Sequence, residues 1–365
     1  MIIYVFNLLF ICSVLLVFTR YCKQDDQLGR YYTSKFGVAL VTVSLSVVSA
    51  LRWEVGTDYR NYTLIFNQIY QMTLSEAINR SGEPLFNSFV WIIMKLTGSP
   101  QAVFAVFSFL TVGLIVLSLY RYSAFFSLSV YLYVTNMAYY SSFNGVRQWF
   151  AAAILFYGYR HFFDNRRRYM VTVFLASLFH TSAIVMIPIY YVVRKPFFRK
   201  ANFLIAMIFV GFTLFFQQTI GSFLRMLSYT SYYNYATWFQ VSGREAHLLR
   251  FIVAMVPLAV SVILYKSMKN RREDMDVLMN FAFLNAMIMI LSTRNWIFAR
   301  LSPYLGVFNT VLIPECLRIG NKELRSFLLF MIIVLYFVLM LLLLPRESHL
   351  VPYRTIFESA SIYGY

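Results

Sequence analysis

The sequence predicts an all-α polytopic integral membrane protein, and three observations support this fold class. Of its 365 residues, 60% are hydrophobic and only 13% are charged, whereas a soluble domain has about 25% charged residues. The run 327–344 is apolar throughout and is long enough to cross the hydrocarbon core, which takes about 20 helical residues. Similar runs recur along the chain, and helices satisfy the backbone polar groups that lipid cannot.

Apolar segments follow one another from the first residues to near the last. The first one lacks a basic start and a small-residue cleavage site, so we expect a retained helix and not a signal peptide. The segment 85–97 has 13 residues, which is too short for a straight span. Without an internal repeat or linker, the chain is expected to form one transmembrane domain over 1–365. The spanning candidates are 2–18, 36–51, 101–119, 125–142, 147–163, 169–193, 201–218, 248–267, 275–292, 296–313 and 325–344.

The loops between these segments indicate an orientation. Lys and Arg outnumber Asp and Glu in the loops 20–35, 164–168, 194–200, 266–272 and 318–325, and such loops are typically cytoplasmic. All of them can share one side only if two segments do not cross. We expect these to be 85–97 and 169–193, the second forming a re-entrant hairpin with His180 near its middle. The prediction is about 10–12 transmembrane helices, with both termini and the loops 52–84 and 219–247 outside.

The charge and the cysteines exclude several classes of protein. The net charge of +17 follows from the basic cytoplasmic loops, and no basic stretch opens into a soluble domain that could bind nucleic acid. Cys12, Cys22 and Cys316 form no disulfide framework or metal-ligand spacing. Because the sequence also lacks a Gly-rich phosphate loop and a Ser nucleophile elbow, we expect chemistry without a metal or a cofactor.

Arginines outside the basic loops are the informative ones. Arg52 closes the second apolar segment in RWEVGTDYRNY, Arg147 begins a helix after an Asn-Gly turn, and Arg294 and Arg300 bracket TRNWIFAR. A charge at this depth is costly unless it is paired or functional, and the planar guanidinium is suited to phosphate oxygens. We expect the four arginines to bind an anion with phosphate oxygens. Alternatively, they reach lipid headgroups or pair with nearby carboxylates.

Candidate acid–base groups are few on the predicted outer side. Asp58 follows a Gly-Thr turn and could take a proton from a hydroxyl nucleophile, with Glu83 as the second candidate; a purely structural role is the alternative for Asp58. His180 lies in an otherwise apolar segment, where a hydrogen-bonded structural role competes with a catalytic one. The Tyr-rich stretch 227–240, with Trp238, is either a lipid-anchoring belt or a surface for sugar faces.

Five stretches of the sequence, taken in order, resemble the EpsG family. They are RWEVGTDYRNY with EPLF downstream, NGVRQWFAAAIL, FLASLFHTSAIVMIPIY, ARLSPYLGVF and LVPYRTIF. This family consists of Wzy-like polymerases of bacterial exopolysaccharide and capsule. The loop 219–247 has no pattern that matches it. The residues that carry the resemblance are Arg52, Gly56, Asp58, Tyr59, Tyr62, Glu83, Arg147, Gln148, His180, Arg300 and Tyr304.

The resemblance implies a multi-pass enzyme of the bacterial cytoplasmic (inner) membrane with an outward-facing site. Such an enzyme moves a growing glycan from undecaprenyl diphosphate onto a lipid-linked oligosaccharide repeat unit, beside a chain-length regulator and other assembly proteins. A GT-C-like glycosyltransferase architecture is also implied. In this reading Asp58 is the base or orients the acceptor, with Glu83 as its substitute, and His180 positions a phosphate or sugar hydroxyl. Arg52, Arg147 and Arg300 hold the diphosphate, and Arg294 is a further candidate for this contact. The expected sugar or lipid contacts are Tyr59, Tyr62, Gln148, Tyr304 and Trp238.

Three alternatives remain open. A glycan ligase that uses the same lipid carrier would share the outer arginines. A flippase or transporter of lipid-linked oligosaccharide predicts an internal repeat and charges through the bilayer centre, and the sequence has neither. A non-catalytic scaffold predicts that Arg52, Asp58 and Arg147 can be replaced without loss of polymer.

Overall fold

The computed structural model describes residues 1–22, 30–80, 82–216, 248–268, 272–319, 321–346 and 349–358. These residues form two compact units. The first comprises Met1–Ile189 and Asn321–Tyr365, and the second comprises Tyr190–Gly320. The single transmembrane domain expected over 1–365 stays a prediction.

The described residues of the first unit form helices and one short hairpin. Its helices are α1 (Ile2–Phe18), α2 (Lys35–Ala50), α3 (Tyr59–Gln71), α4 (Leu74–Asn79), α5 (Pro84–Thr97), α6 (Pro100–Tyr122), α7 (Phe126–Thr135), α8 (Ala138–Ser141), α9 (Val146–Tyr157), α10 (His161–Asp164) and α11 (Arg166–Phe179). Short 3-10 turns occupy Gly158–Arg160 and Thr181–Val185. The hairpin pairs β1 (Thr19–Cys22) with β2 (Arg30–Thr33) in antiparallel register.

The remaining helices continue the chain through the second unit and back to the first. Helix α12 (Met186–Val193) contains the boundary between the units. The second unit then has α13 (Lys200–Leu214), α14 (Leu248–Leu264), α15 (Met275–Ser292), a 3-10 helix (Trp296–Leu301), α16 (Ser302–Gly306) and α17 (Asn309–Cys316). Helix α18 (Lys322–Leu343) belongs to the first unit.

Three described helices, α6, α15 and α18, are long and apolar enough to cross a membrane. A fourth span is possible if two consecutive pieces cross the membrane as one unit. The first piece is the 3-10 helix with α16, the second is α17, and the angle between them is 56°. Large apolar side chains also stand exposed, among them Ile2 at 85% and Leu96 at 80%, as expected for lipid-facing surfaces. The protein is an all-α polytopic membrane protein, and the predicted helix count stays a prediction.

Local sequence explains several helix ends near the predicted outer loop. Helix α4 begins with a capping box, in which Thr73 and Glu76 each satisfy the other's backbone N–H. Helix α5 begins at Pro84, which needs no backbone donor in the first turn. It ends at Gly98, whose φ of 63° is a left-handed conformation that glycine adopts without strain.

The structure differs from the sequence predictions in several places. The loop predicted over 52–84 contains α3 and α4, because amphipathic α3 buries one face although its composition is polar. The basic loop 20–35 contains paired residues of β1 and β2. The predicted segments 125–142 and 147–163 are each divided into shorter helices. The segment predicted as one span over 296–313 is divided into short helices that bend at a break.

One core cluster holds the helices of the first unit that matter for the site. Tyr59 of α3 stacks on Phe104 of α6 with ring centroids 4.5 Å apart, and Phe150 of α9 meets Phe179 of α11 edge to face at 4.8 Å. The cluster therefore fixes α3, α5, α6, α9 and α11 against one another. It comprises Tyr59, Tyr62, Phe66, Ile69, Ala77, Phe86, Val90, Met94, Val103, Phe104, Phe107, Val146, Phe150 and Phe179.

Candidate functional site

Glu83 is the centre of the candidate site. It lies immediately before Pro84, so its position follows from the start of α5. Its Oε2 atom accepts a hydrogen bond from a guanidinium N–H of Arg147, and its Oε1 atom lies 2.5 Å from Nδ1 of His180. The carboxylate is buried, with 6% of its side chain exposed. We call these three residues the Glu83 cluster.

Arg147 is presented by the first turn of α9. Its guanidinium carbon lies 5.6 Å from the ring centroid of Tyr62 and 5.5 Å from that of Phe86, so two aromatic faces contribute cation–π attraction. Even so, 27% of the side chain is exposed. The guanidinium is thus held by Glu83 and two aromatic rings, in a side chain that is about a quarter exposed.

His180 stands where α11 ends. Its backbone has a φ of −153° and a ψ of 113°, so the chain leaves the helix there, near the middle of the predicted 169–193 hairpin. Whether this segment re-enters from one side stays a prediction. A carboxylate only accepts hydrogen bonds, so we assign the imidazole proton to Nδ1 and the lone pair to Nε2. A quarter of the side chain, 25%, is exposed.

Electrostatics keep Glu83 ionised. Burial raises the pKa of its carboxyl, but the hydrogen bond from His180 and the charge of Arg147 outweigh burial, so the pKa lies below its usual value. Both carboxylate oxygens are also occupied. A carboxylate of this kind is a weak base, and the geometry favours Glu83 as an orienting group over the substitute base that the sequence indicated.

Asp58 lies against the turn that comes before α9. Its Oδ2 atom accepts a hydrogen bond from the backbone N–H of Gly145 at 3.1 Å, immediately before α9 begins. The negative charge therefore complements the amino-terminal end of that helix. The Asp58 carboxylate thus occupies the end of α9 where an anion is favoured.

Arg52 is buried, and the diphosphate contact expected for it stays a prediction. Only 1% of it is exposed. Its guanidinium donates to the carbonyl and hydroxyl of Ser49, the hydroxyl of Ser108 at 3.3 Å and the carbonyl of Phe143 at 3.4 Å. Burial lowers the pKa of Arg52 to about 10, so it remains charged at neutral pH. In this arrangement Arg52 joins α2, α6 and the turn before α9.

A carboxy-terminal segment, 349–356, covers the chain around Arg52. The backbone N–H of Trp53 donates to the carbonyl of Arg354 at 2.9 Å, and that of Gly56 donates to the carbonyl of His349 at 3.1 Å. This contact explains the burial of Arg52. This segment contains most of the stretch LVPYRTIF, and nothing local in the sequence reveals its partner.

Three residues expected to contact sugar or lipid are buried in the first unit. The exposed fractions are 4% for Tyr59, 5% for Tyr62 and 9% for Gln148. The hydroxyl of Tyr59 donates to Oε1 of Gln101 at 2.6 Å, and Tyr62 contacts Arg147 with its ring. The two tyrosines occupy the buried face of α3, because they are three residues apart on a helix.

The later arginines belong to the second unit. Arg294 is exposed, and its Nε donates to the carbonyl of Thr213 at 3.1 Å. The guanidinium of Arg300 lies 4.6 Å from the ring centroid of Trp296, and Tyr304 is buried. Their joining the Glu83 cluster around a diphosphate stays a prediction. Trp238 and the loop 219–247 lie outside the described residues.

Metal-binding side chains are not grouped in the part of the chain that the structure describes. There, no group of three or more His, Cys, Asp or Glu side chains could hold a metal ion. That the protein's reaction needs neither a metal nor a cofactor stays a prediction. What the Glu83 cluster offers is a cation for an anionic leaving group and an imidazole nitrogen for a proton.

Comparisons with known proteins give one result. The family model described as the EpsG family matches residues 35–355, which is nearly the whole chain. No curated protein and no solved structure shows significant similarity to the chain. The match includes every residue of the Glu83 cluster, together with Arg52, Asp58 and most of the carboxy-terminal segment.

Proposed function

The chain belongs to the EpsG family of Wzy-like polymerases, and from this premise we propose that it is an exopolysaccharide polymerase. In the proposed reaction a growing glycan moves from undecaprenyl diphosphate onto a lipid-linked oligosaccharide repeat unit. The observation that carries the proposal is the Glu83 cluster, in which one carboxylate holds a guanidinium and an imidazole that are each about a quarter exposed.

The proposed step is a glycosyl transfer. A hydroxyl oxygen of the incoming repeat unit forms a bond to the anomeric carbon of the growing glycan. The bond from that carbon to the diphosphate oxygen breaks, and its electron pair leaves with the diphosphate. The hydroxyl proton passes to Nε2 of His180, which acts as the general base.

Glu83 supports this step through His180. Its Oε1 atom holds Nδ1 of the imidazole, which fixes the tautomer that leaves Nε2 able to accept a proton. The carboxylate also stabilises the imidazolium that forms, as the acid does in a Ser-His-Asp triad. We therefore propose His180 as the base in place of Asp58, whose Oδ2 atom caps α9.

Arg147 would stabilise the leaving diphosphate. A guanidinium has five N–H donors, and its bond to Glu83 uses one of them. Exposed donors preorganised toward developing charge are the usual means of stabilising such a transition state. Arg294 and Arg300 remain candidates for further diphosphate contacts and Tyr304 for a sugar contact, whereas we propose that Arg52 and Asp58 act by positioning the chain.

We propose that the Glu83 cluster faces outward from the cytoplasmic (inner) membrane of a bacterium. Helix α9 has Arg147 at its start and Arg160 just past its end, and α11 has Arg166 at its start and His180 just past its end. At 1.5 Å per residue, these groups lie roughly 20 Å apart along each helix. Arginines collect on the cytoplasmic side, which supports an outer location for the cluster.

The finer architecture and the partners are proposed on the family resemblance. We propose about 10–12 transmembrane helices in a GT-C-like arrangement. The partners are membrane lipids, a chain-length regulator and other polysaccharide-assembly proteins, and no nucleic acid is involved.

The test of this function uses purified protein in nanodiscs with its own lipid-diphosphate-linked repeat unit. Nucleotide sugars are omitted and a chelator is added. We expect a ladder of lengthened glycans from the wild type and from the control Glu54→Gln, and none from Glu83→Gln. Glu54 is a suitable control because its partner Arg60 is largely exposed. Transfer only to an acceptor without lipid diphosphate would assign a ligase, and intact protein without any transfer would contradict the proposal.

A further inference from the structure

Two turns of the first unit are joined next to the Glu83 cluster. The first turn, 56–58, comes directly before α3, and the second turn, 143–145, comes directly before α9. Tyr62 lies in the first turns of α3, and Arg147 lies in the first turn of α9. Any shift between the two turns therefore changes how these side chains meet.

The side chain of Asn144 joins the two turns by hydrogen bonds. Its Oδ1 atom accepts from the hydroxyl of Thr57 at 3.2 Å and from the backbone N–H of Asp58 at 3.1 Å. In the opposite direction, Oδ2 of Asp58 accepts from the backbone N–H of Gly145 at 3.1 Å. The bonds run both ways, so the turns can neither slide nor separate without losing partners.

The space over Gly56 is shaped for the Asn144 amide. Gly56 has a φ of +102°, and a Cβ atom built there would lie 2.7 Å from Oδ1 of Asn144. Only a glycine combines this backbone conformation with such a close approach. The amide oxygen of Asn144 is therefore seated in a fixed position over the first turn.

We propose that Asn144 is a positioning residue for Arg147, an inference that rests on the proposed polymerase function. By holding the start of α9 against the start of α3, it sets the guanidinium of Arg147 beside the Tyr62 ring, 5.6 Å from its centroid, and within reach of Glu83. The sequence indicated only an Asn-Gly turn at this place. A turn residue shapes its own backbone, whereas Asn144 is bonded to a different turn 86 residues away in the chain.

A substrate-free experiment separates this role from the reaction itself. Thermal unfolding is measured for Asn144→Ala, Arg147→Lys and the double variant. If Asn144 positions Arg147, the double variant melts close to the less stable single variant, because residues that are coupled through a backbone shift give non-additive losses. Additive losses would overturn the proposal, whether or not the protein polymerises glycan.

Asn136 provides a matched control. Its Oδ1 atom also accepts a hydrogen bond from a backbone N–H, that of Ala138 at 2.9 Å, but it lies in the turn between α7 and α8 and not at the start of α9. Asn136→Ala is expected to lower the melting temperature and to combine additively with Arg147→Lys. Coupling as large as that of Asn144→Ala would contradict a specific role for Asn144.

The kinetic arm measures elongation by folded protein at varied repeat-unit concentration. Asn144→Ala is expected to lower kcat about 10- to 100-fold, because displacement by about 1 Å has that effect on oriented groups, with KM little changed. Thr57→Val, which removes only one bond to Asn144, should lose less. An unchanged kcat in Asn144→Ala would overturn the proposal. If the variants show thermal coupling but the wild type makes no glycan, the positioning role of Asn144 is kept and the proposed polymerase function is rejected.

Discussion

The imidazole Nδ1 of His180 lies 2.5 Å from Oε1 of Glu83, although 97 positions separate the two residues in the chain. The other oxygen of the same carboxylate binds Arg147. Oriented by Glu83, the imidazole can accept a proton at its far nitrogen, and the guanidinium can face a leaving phosphate. The following predictions test this arrangement and the turns that support it.

Arg147→Lys should reduce elongation although the positive charge is kept. A lysine ammonium is a point charge, whereas the arginine fork can bind Glu83 and a phosphate oxygen together. We expect kcat to fall by about 10-fold or more, because the lost hydrogen bond to a charged group is worth roughly 1.5–3 kcal/mol. The control is Arg60→Lys, in a side chain that is 78% exposed; equal activity of both variants would contradict the role of Arg147.

Glu83→Gln should change how stability depends on pH. Because the folded-state pKa of Glu83 lies below its ordinary value, its ionised form stabilises the fold above pH about 4.3. That contribution is lost as the pH falls through the lowered pKa. The melting temperature of the wild type should therefore exceed that of Glu83→Gln near pH 7, and the difference should shrink in acid.

Differential scanning fluorimetry from pH 7 down to acid measures this difference directly. Arg147 and His180 are the charged and titratable groups that face Glu83, so both should be retained in the compared proteins. A difference that widens as the pH falls would mean that the folded-state pKa of Glu83 is raised and would contradict the arrangement.

Gly56→Ala should destabilise the protein and slow elongation. The positive φ and the 2.7 Å approach of Asn144 together cost about 1–3 kcal/mol when a Cβ is added. The matched control is Gly113→Ala in α6, where no atom lies within 4 Å of an added Cβ; alanine is the better helix former there. Thermal unfolding of both variants checks the prediction, which fails if they melt alike.

Arg52→Met should act on stability and not on substrate affinity. The substitution removes hydrogen bonds from a buried charged group, each worth about 1.5–3 kcal/mol, so the melting temperature should fall while KM stays near the wild-type value. The exposed Arg60→Met serves as the control. A large rise in KM without thermal destabilisation would restore the diphosphate contact that the sequence predicted for Arg52.

The sequence predicted best the features that are local and long. The predicted segment 275–292 has the same bounds as α15, and 101–119 lies within α6. Such segments are recognised easily because a long continuous apolar run is visible in the sequence alone. Helix α3 was missed because its polar composition resembles a loop and its buried face is recognisable only as a spacing of aromatic residues. The hairpin β1–β2 depends on pairing, which a short basic stretch does not indicate.

For the site, the sequence identified positions better than contacts. Glu83, Arg147 and His180 were each singled out, but their meeting depends on how α5, α9 and α11 pack, which no local pattern encodes. The base role predicted for Asp58 and the ligand role predicted for Arg52 assumed side chains that face outward. Asp58 instead caps a helix, and the carboxy-terminal segment lies over the turn that carries Arg52. Both of these contacts are distant in sequence.

The most direct test of the central claim is a double-mutant cycle on glycan elongation with Glu83→Gln, His180→Gln and both together. Groups that act as a unit in catalysis show strongly non-additive losses. If Glu83 works through His180, the activity loss of the double variant should be much smaller than the product of the two single losses, although the bond from Glu83 to Arg147 is also lost, and folded protein should be recovered in each case. Independent, multiplicative losses, or full activity in His180→Gln, would contradict the account.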